Sequence, residues 1–355
     1  MCREYVGRSP DIPVSPLAPP GAPCGHEPAL GRPVAHPHHR HGWWWKTLLV
    51  GFVLWVVTII VTVSTQNTNL VPTIILLGSF LVPFTVVLFV IERVTGTVST
   101  MQLVTAFFVG GILGVLGASL LEADLEQGAG LYLVVGFVEE FVKGVLLVVV
   151  GWRVRPKTAK QGALLGATIG AGFAAFESAG YAFNAAITAR GIDLASLLQT
   201  EVVRAVLAPV GHVLWTAILG AVLFGAATGR ARFRWSWPPI VAYVVVSVLH
   251  GLWDANGTIA TLIAFVVSGV PFSAAQYGMV PAAVGGIVTT VYVIGLAIVS
   301  LIGVAVLVGV LRHHRGRTQA LPAPGGWDGT QAPDGWDATQ APDGWDATPG
   351  PDRLR

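Results

Sequence analysis

Eight stretches of this chain come close to or exceed the roughly 20 apolar residues that a helix needs to cross the hydrocarbon layer: about 47–63, 70–91, 101–121, 131–151, 160–187, 203–228, 237–257 and 282–311. The fold they predict is an all-α integral membrane protein, a bundle of about eight transmembrane helices with disordered N- and C-terminal tails. Of the 355 residues, 53% are hydrophobic and 11% charged, less than half the charged share of an ordinary soluble domain, so a soluble enzyme is excluded. Residues 258–281 are also apolar, but the unbroken core Ile259–Val267 is too short to span, and Gly269, Pro271, Gly278 and Pro281 interrupt the remainder of the segment. A re-entrant or interfacial loop is expected there.

Orientation follows from the basic residues, which concentrate on the cytoplasmic side of short loops. With both termini inside, 18 of the 21 Lys and Arg fall in cytoplasmic segments, including Lys46, Arg93, Arg153, Arg155, Lys157, Lys160, Arg230, Arg232, Arg234, Arg312, Arg315 and Arg317. The outer segments instead carry Glu122, Asp124, Glu126, Asp193 and Glu201, with Arg190 and Arg204 the basic residues on or near that side. A ninth span at 258–270 would put Arg312, Arg315 and Arg317 outside. The expected location is therefore the cell membrane, multi-pass, with both termini cytoplasmic.

Residues 1–42 are rich in Pro and His and hold no apolar stretch, so no signal peptide is expected and the first apolar run stays as an anchor. The end of the chain repeats GWDGTQAPD, GWDATQAPD and GWDATPGPD, with Trp327, Trp336 and Trp345 in register. Neither tail can bury a core. Cys2 and Cys24 form no CxxC motif, and a net charge of +2 gives no reason to expect a nucleic-acid partner.

Seven titratable groups interrupt the apolar spans: Glu139, Glu140 and Lys143 on the fourth, Glu177 on the fifth, His212 on the sixth, and His250 with Asp254 on the seventh. A charge at mid-membrane costs about 2.5 to 3.5 kcal/mol on insertion scales, so these groups must face inward and meet each other or water. Spacing agrees with that. Lys143 is three and four residues from the two glutamates, and Asp254 four from His250, so each set lies on one helix face. At 1.5 Å per residue, Glu139, His212, His250 and Glu177 sit about 12, 13, 10 and 15 Å below the outer surface, a single layer. The row Gly162, Gly166, Gly170 on the fifth span lets a neighbouring helix approach closely beside that layer.

Singly, each group has a structural account: a buried ion network, a hydrogen-bonded interior histidine, an imidazole oriented by a carboxylate one turn away. Jointly they gather both embedded histidines and all the embedded acids in one place. Peptide hydrolysis in a membrane wants a carboxylate to take a proton from water, a second group to orient it, and donors for the oxyanion. The same residues can instead hold zinc as a two-His, one-carboxylate site, with Glu139, His212 and His250 as the candidate ligands. No HExxH motif is present. The rival reading is a proton- or ion-coupled transporter, which uses similar buried groups, although no internal repeat echoes the central helices. A third is a non-catalytic scaffold that recruits partners through the Trp-rich tail.

EEFVK at Glu139–Lys143, FESAGY at Phe176–Tyr181, the isolated His212, and HGLWD at His250–Asp254 resemble the EExxK, FExxxY, H and HxxxD motifs of the PrsW family of intramembrane proteases, distant relatives of the type II CAAX prenyl endopeptidases. The resemblance covers about 131–257, in order and on successive helices. With the spans, it implies a membrane protease domain over 43–312, with its catalytic core at about 131–257; the low-complexity tails at 1–42 and 313–355 lie outside the resemblance. It also implies cleavage of a single-span membrane protein, typically an anti-sigma factor. By analogy with the CAAX relatives, Glu139 would be the general base, Glu177 or His212 would orient the water, and His250 with Asp254 would take the oxyanion or orienting position. Glu140 and Lys143 would form a supporting ion pair. Those relatives carry a histidine in the second motif and an asparagine in the last, where this chain has Glu177 and Asp254.

Overall fold

The computed structural model describes residues 42–319 except 94–97, 129, 156, 229, 231 and 234–235. The two low-complexity tails lie outside the described residues. Helix α1 spans Trp43–Thr65, and α2, Val71–Ile91, comes after a 3-10 turn at Thr68–Leu70. Helices α3 (Thr100–Phe108) and α4 (Gly114–Glu122) run as one rod through a π-turn at Val109–Leu113. Next come α5 (Leu131–Gly151), α6 (Ala159–Ala186), α7 (Leu194–Leu207), α8 (His212–Ala226), α9 (Trp237–Ser268), the short α10 (Ser273–Gln276) and α11 (Ala282–Gln319).

Among the described residues, seven helical segments can cross a membrane by length and apolar character, α3–α4 and α7–α8 each counting as one. Helix α5, at 21 residues, is also long enough, about 31 Å, but carries Glu139, Glu140 and Lys143. These eight correspond to the expected spans. Three helix starts carry a side-chain cap: Ser99, Thr158 and Asp193 each accept a hydrogen bond from a backbone N–H in the first turn of α3, α6 and α7.

Three expected helix boundaries need correction. The 258–281 segment is not a re-entrant loop at its start, because α9 continues unbroken to Ser268 and stops only at Gly269, which adopts φ 68°. Nothing between Thr258 and Ser268 breaks a helix, and the Gly and Pro signals act only beyond it. The sixth span is not one helix from 203. It begins at Leu194 and breaks at Ala208–Gly211, where Pro209 cannot donate a backbone hydrogen bond and Gly211 leaves helical geometry, so that His212 opens α8. Helix α11 runs past Arg312 to Gln319.

Helix α6 is the axis of the bundle, and its glycine row explains how. A β-carbon on Gly162, Gly166 or Gly170 would collide with the backbone carbonyl of Gly220, Thr216 or His212 respectively, so α8 lies directly on this seam. A second close crossing brings α5 onto α9: a β-carbon on Gly136 would strike the Ser247 carbonyl, and one on Gly251 the Leu133 backbone. Trp215, Phe224, Leu165, Ile169 and Ile218 fill the space between these helices. Helix α1 is peripheral, yet Trp55 donates through Nε1 to Glu201 at 2.9 Å. Glu201 is thus buried in α7 against α1 and α2, not exposed in an outer segment.

Candidate active site

The close crossing of α5 and α9 sets Glu139, Glu140 and Lys143 against His250, while the α6–α8 seam sets Glu177 against His212. Glu140 and Lys143 are fully buried and Glu139 nearly so. The Lys143 ammonium has three protons and three partners: Glu140 Oε1 at 2.7 Å, Glu139 Oε2 at 3.1 Å and His212 Nδ1 at 2.9 Å. It also lies 4.1 Å from the centre of the Phe173 ring.

An ammonium cannot accept a hydrogen bond, so His212 Nδ1 must be the acceptor and the ring proton sits on Nε2. That nitrogen faces Glu177 Oε2 at 2.9 Å. His250 is held from both sides. Its Nδ1 is 3.1 Å from Glu140 Oε1, and its Nε2 lies 3.3 Å from Asp254 Oδ2 and 3.6 Å from Glu139 Oε2. Trp215 stacks on the His250 ring with centroids 4.4 Å apart and fixes its plane.

All seven residues singled out in the sequence therefore join one network. Arg204, expected on or near the outer side, belongs to this network as well. Its guanidinium pairs with Glu177 Oε2, donates from Nε to Ser178 Oγ at 2.8 Å, and lies 4.3 Å from the centre of the Tyr181 ring. The available signal is an arginine eight residues ahead of His212, in a layer rich in acids. Phe173 and Trp215 carry no signal, since one aromatic among many in an apolar helix has none.

Two cavities reach the cluster. One, of about 320 Å³, is lined by Arg204, His212 and Trp253; the other, of about 430 Å³, by Glu122, Glu139 and Phe173. Glu177, Tyr181 and Asp254 line both. Water-sized molecules can thus reach Glu139 through one cavity and His212 through the other.

The family model for PrsW family intramembrane metalloprotease matches residues 40–285, well over half of the chain. The chain belongs to the PrsW family. No curated protein and no solved structure matches it. As a PrsW-family protein it is a multi-pass membrane peptidase, and the motif-bearing helices α5 to α9 all fall within the matched range.

A PrsW-family metalloprotease needs a place for its metal, and the residues present fit one. Ligand atoms of Glu139, His212 and His250 lie within 4.8 Å of one another. Three ligands of a tetrahedral zinc stand about 3.4 Å apart, so a modest contraction would close the triangle. Charge points the same way. The carboxylates of Glu139, Glu140, Glu177 and Asp254 outnumber the cations Lys143 and Arg204 by two, which one divalent ion would balance. Glu140 Oε2 is buried and has no hydrogen-bond partner among the described residues. Lys143 would have to yield its bonds to Glu139 and His212 for an ion to take them.

Proposed function

We propose that this PrsW-family peptidase cleaves a single-span membrane protein, an anti-sigma factor by family resemblance, with Glu139 as the general base. The observation that supports this most is the convergence of Glu139, His212 and His250, from three helices, beside a cavity open to water-sized molecules. Glu139 Oε2 takes a proton from water, and the water oxygen bonds to the scissile carbonyl carbon. The C–N bond then breaks, and Glu139 returns the proton to the leaving nitrogen, giving one carboxyl and one amine end.

Glu177, held by His212 and Arg204, orients the water. His250, held by Glu140 and Asp254, turns its Nε2 edge toward the same point and offers a donor to the developing oxyanion. A zinc ion held by Glu139, His212 and His250 would instead supply Lewis-acid polarisation of the carbonyl, in place of the base and donor roles given to Glu139 and His250. No observation favours the transporter reading over this one. The distribution of Lys and Arg supports both ends facing the cytoplasm. With Cys2 and Cys24 replaced by Ser, a cysteine in place of Asp193 should then react with an impermeant thiol reagent added outside intact cells, and labelling only after lysis would reverse the topology.

The test is Glu139→Gln with a co-expressed single-span substrate. Cleavage should fall by at least about 10²-fold, the usual scale of a lost general base, while the protein still inserts and accumulates. Undiminished cleavage would eliminate Glu139 as the base.

A further inference from the structure

Between α8, α9 and α11, roughly 8 to 20 Å along α9 from His250, lies a cleft of about 580 Å³ that the hydrolytic site does not use. Ile218, Val222, Val241, Val245, Val306 and Val310 form its walls. Clefts of roughly 300–1,000 Å³ with apolar walls and a few polar groups at one end are the usual form of a small-ligand site.

The polar groups here are all basic. His313 and His314 line the cleft near Trp237, and Arg230 donates to the carbonyl of Ala226, another lining residue, at 3.3 Å. Arg312 and Arg315 flank the histidines on α11 and are exposed. Neither residues 226–253 nor α11 contains an Asp or Glu, so these elements supply no acid to answer the cations. Among the groups that a bilayer offers, an anionic phospholipid matches both halves of the cleft, its chain the valine walls and its phosphate the basic rim.

We propose that the α8–α9–α11 cleft is a binding site for an anionic phospholipid, with one acyl chain between the three helices and the phosphate against Arg230 and His313. The site is separate from the hydrolytic cluster and does not depend on the proposed reaction.

Gly309 gives the means to test it. It lines the cleft, and a β-carbon there would meet nothing within 4 Å, so Gly309→Phe places a ring in the cleft without displacing a neighbouring atom at its base. The full chain in neutral detergent is titrated with phosphatidylglycerol or with phosphatidylcholine of the same acyl chains, and retained lipid is read by native mass spectrometry. Wild type should retain phosphatidylglycerol at least ten-fold better than phosphatidylcholine. Gly309→Phe should lose both. The double variant Arg230→Gln, His313→Gln should keep weak retention of both lipids and lose the preference, and this arm stands alone if Gly309→Phe fails to accumulate. Equal retention of the two lipids by wild type overturns the proposal, as does wild-type preference in the double variant. If Gly309→Phe turns a dimer into a monomer and leaves lipid retention unchanged, the cleft seats a second copy of the chain and the proposal also fails.

Discussion

Lys143 on α5 and His212 on α8 meet with Nζ 2.9 Å from Nδ1, although 69 residues separate them in the chain. This contact fixes the His212 tautomer and spends the last donor of an ammonium already shared by Glu139 and Glu140. Lys143 is thus the common cation of both histidine arms: directly for His212, and through Glu140 for His250. The sequence assigns it only a supporting ion pair on its own helix. In the folded protein it joins α5 to α8.

Replacing Lys143 by Met should therefore do more than lose a local ion pair. Two buried carboxylates would be left without their cation, a change that costs about 3–5 kcal/mol when one partner of a buried pair is removed. The thermal midpoint in detergent should drop and cleavage should be lost. Lys143→Arg should not restore full activity, because a planar guanidinium cannot direct three bonds to the same three points. A Lys143→Met protein that melts with wild type and still cleaves would show that the hub carries no weight.

Arg204 acts through Glu177 and is a positioning residue. It pairs with the same Glu177 oxygen, Oε2, that faces His212, so its loss should let the carboxylate swing and free the imidazole to change tautomer. We expect Arg204→Gln to lower kcat about 10- to 100-fold, the scale seen for outer-shell partners, with little change in KM. Arg204→Lys should recover part of that loss. An equal fall in accumulation and activity, with no recovery in Arg204→Lys, would mean that the residue serves folding alone.

How much of the site is legible in the sequence depends on the range of each signal. Glu139, Lys143, His250 and Asp254 are legible because helical periodicity places residues three or four apart on one face, and because a charge in an apolar span has few other accounts. Counting residues puts Glu177 in one layer with Glu139, but the counts for His212 and His250 start from ends near 203 and 257, which the fold moves to Leu194 and Ser268. Spacing cannot show contacts between helices, and so Lys143 to His212, Arg204 to Glu177 and Trp215 on His250 appear only in the fold. Gly162, Gly166 and Gly170 mark a close approach without naming the partner helix. The break before His212 is written in Pro209 and Gly211, but the apolar run on both sides of them masks it.

The metal reading predicts a stoichiometry. Protein purified without chelator should carry about one zinc per chain, as expected of a single two-His, one-carboxylate site. His250→Ala and His212→Ala should each lose most of it, whereas Trp215→Phe, which keeps an aromatic ring against His250, should retain it. Zinc that stays constant across the histidine variants, by elemental analysis, would place the ion elsewhere.

The α6–α8 seam makes the last prediction, because His212 can reach Glu177 only if the two backbones touch. A leucine at Gly166 would drive its side chain into the Thr216 carbonyl and separate the helices, whereas a leucine at Gly285 on α11, where nothing lies within 4 Å, displaces no atom at its β-carbon. Overpacking of a tight core costs about 1–3 kcal/mol, and a collision with backbone that cannot rotate away belongs at the upper end of that range or above it. Gly166→Leu should therefore lower the melting temperature in detergent and abolish cleavage, and Gly285→Leu should leave the melting temperature within a degree or two of wild type. If both variants melt together with wild type, the glycine row is not what brings the acid and imidazole helices into register.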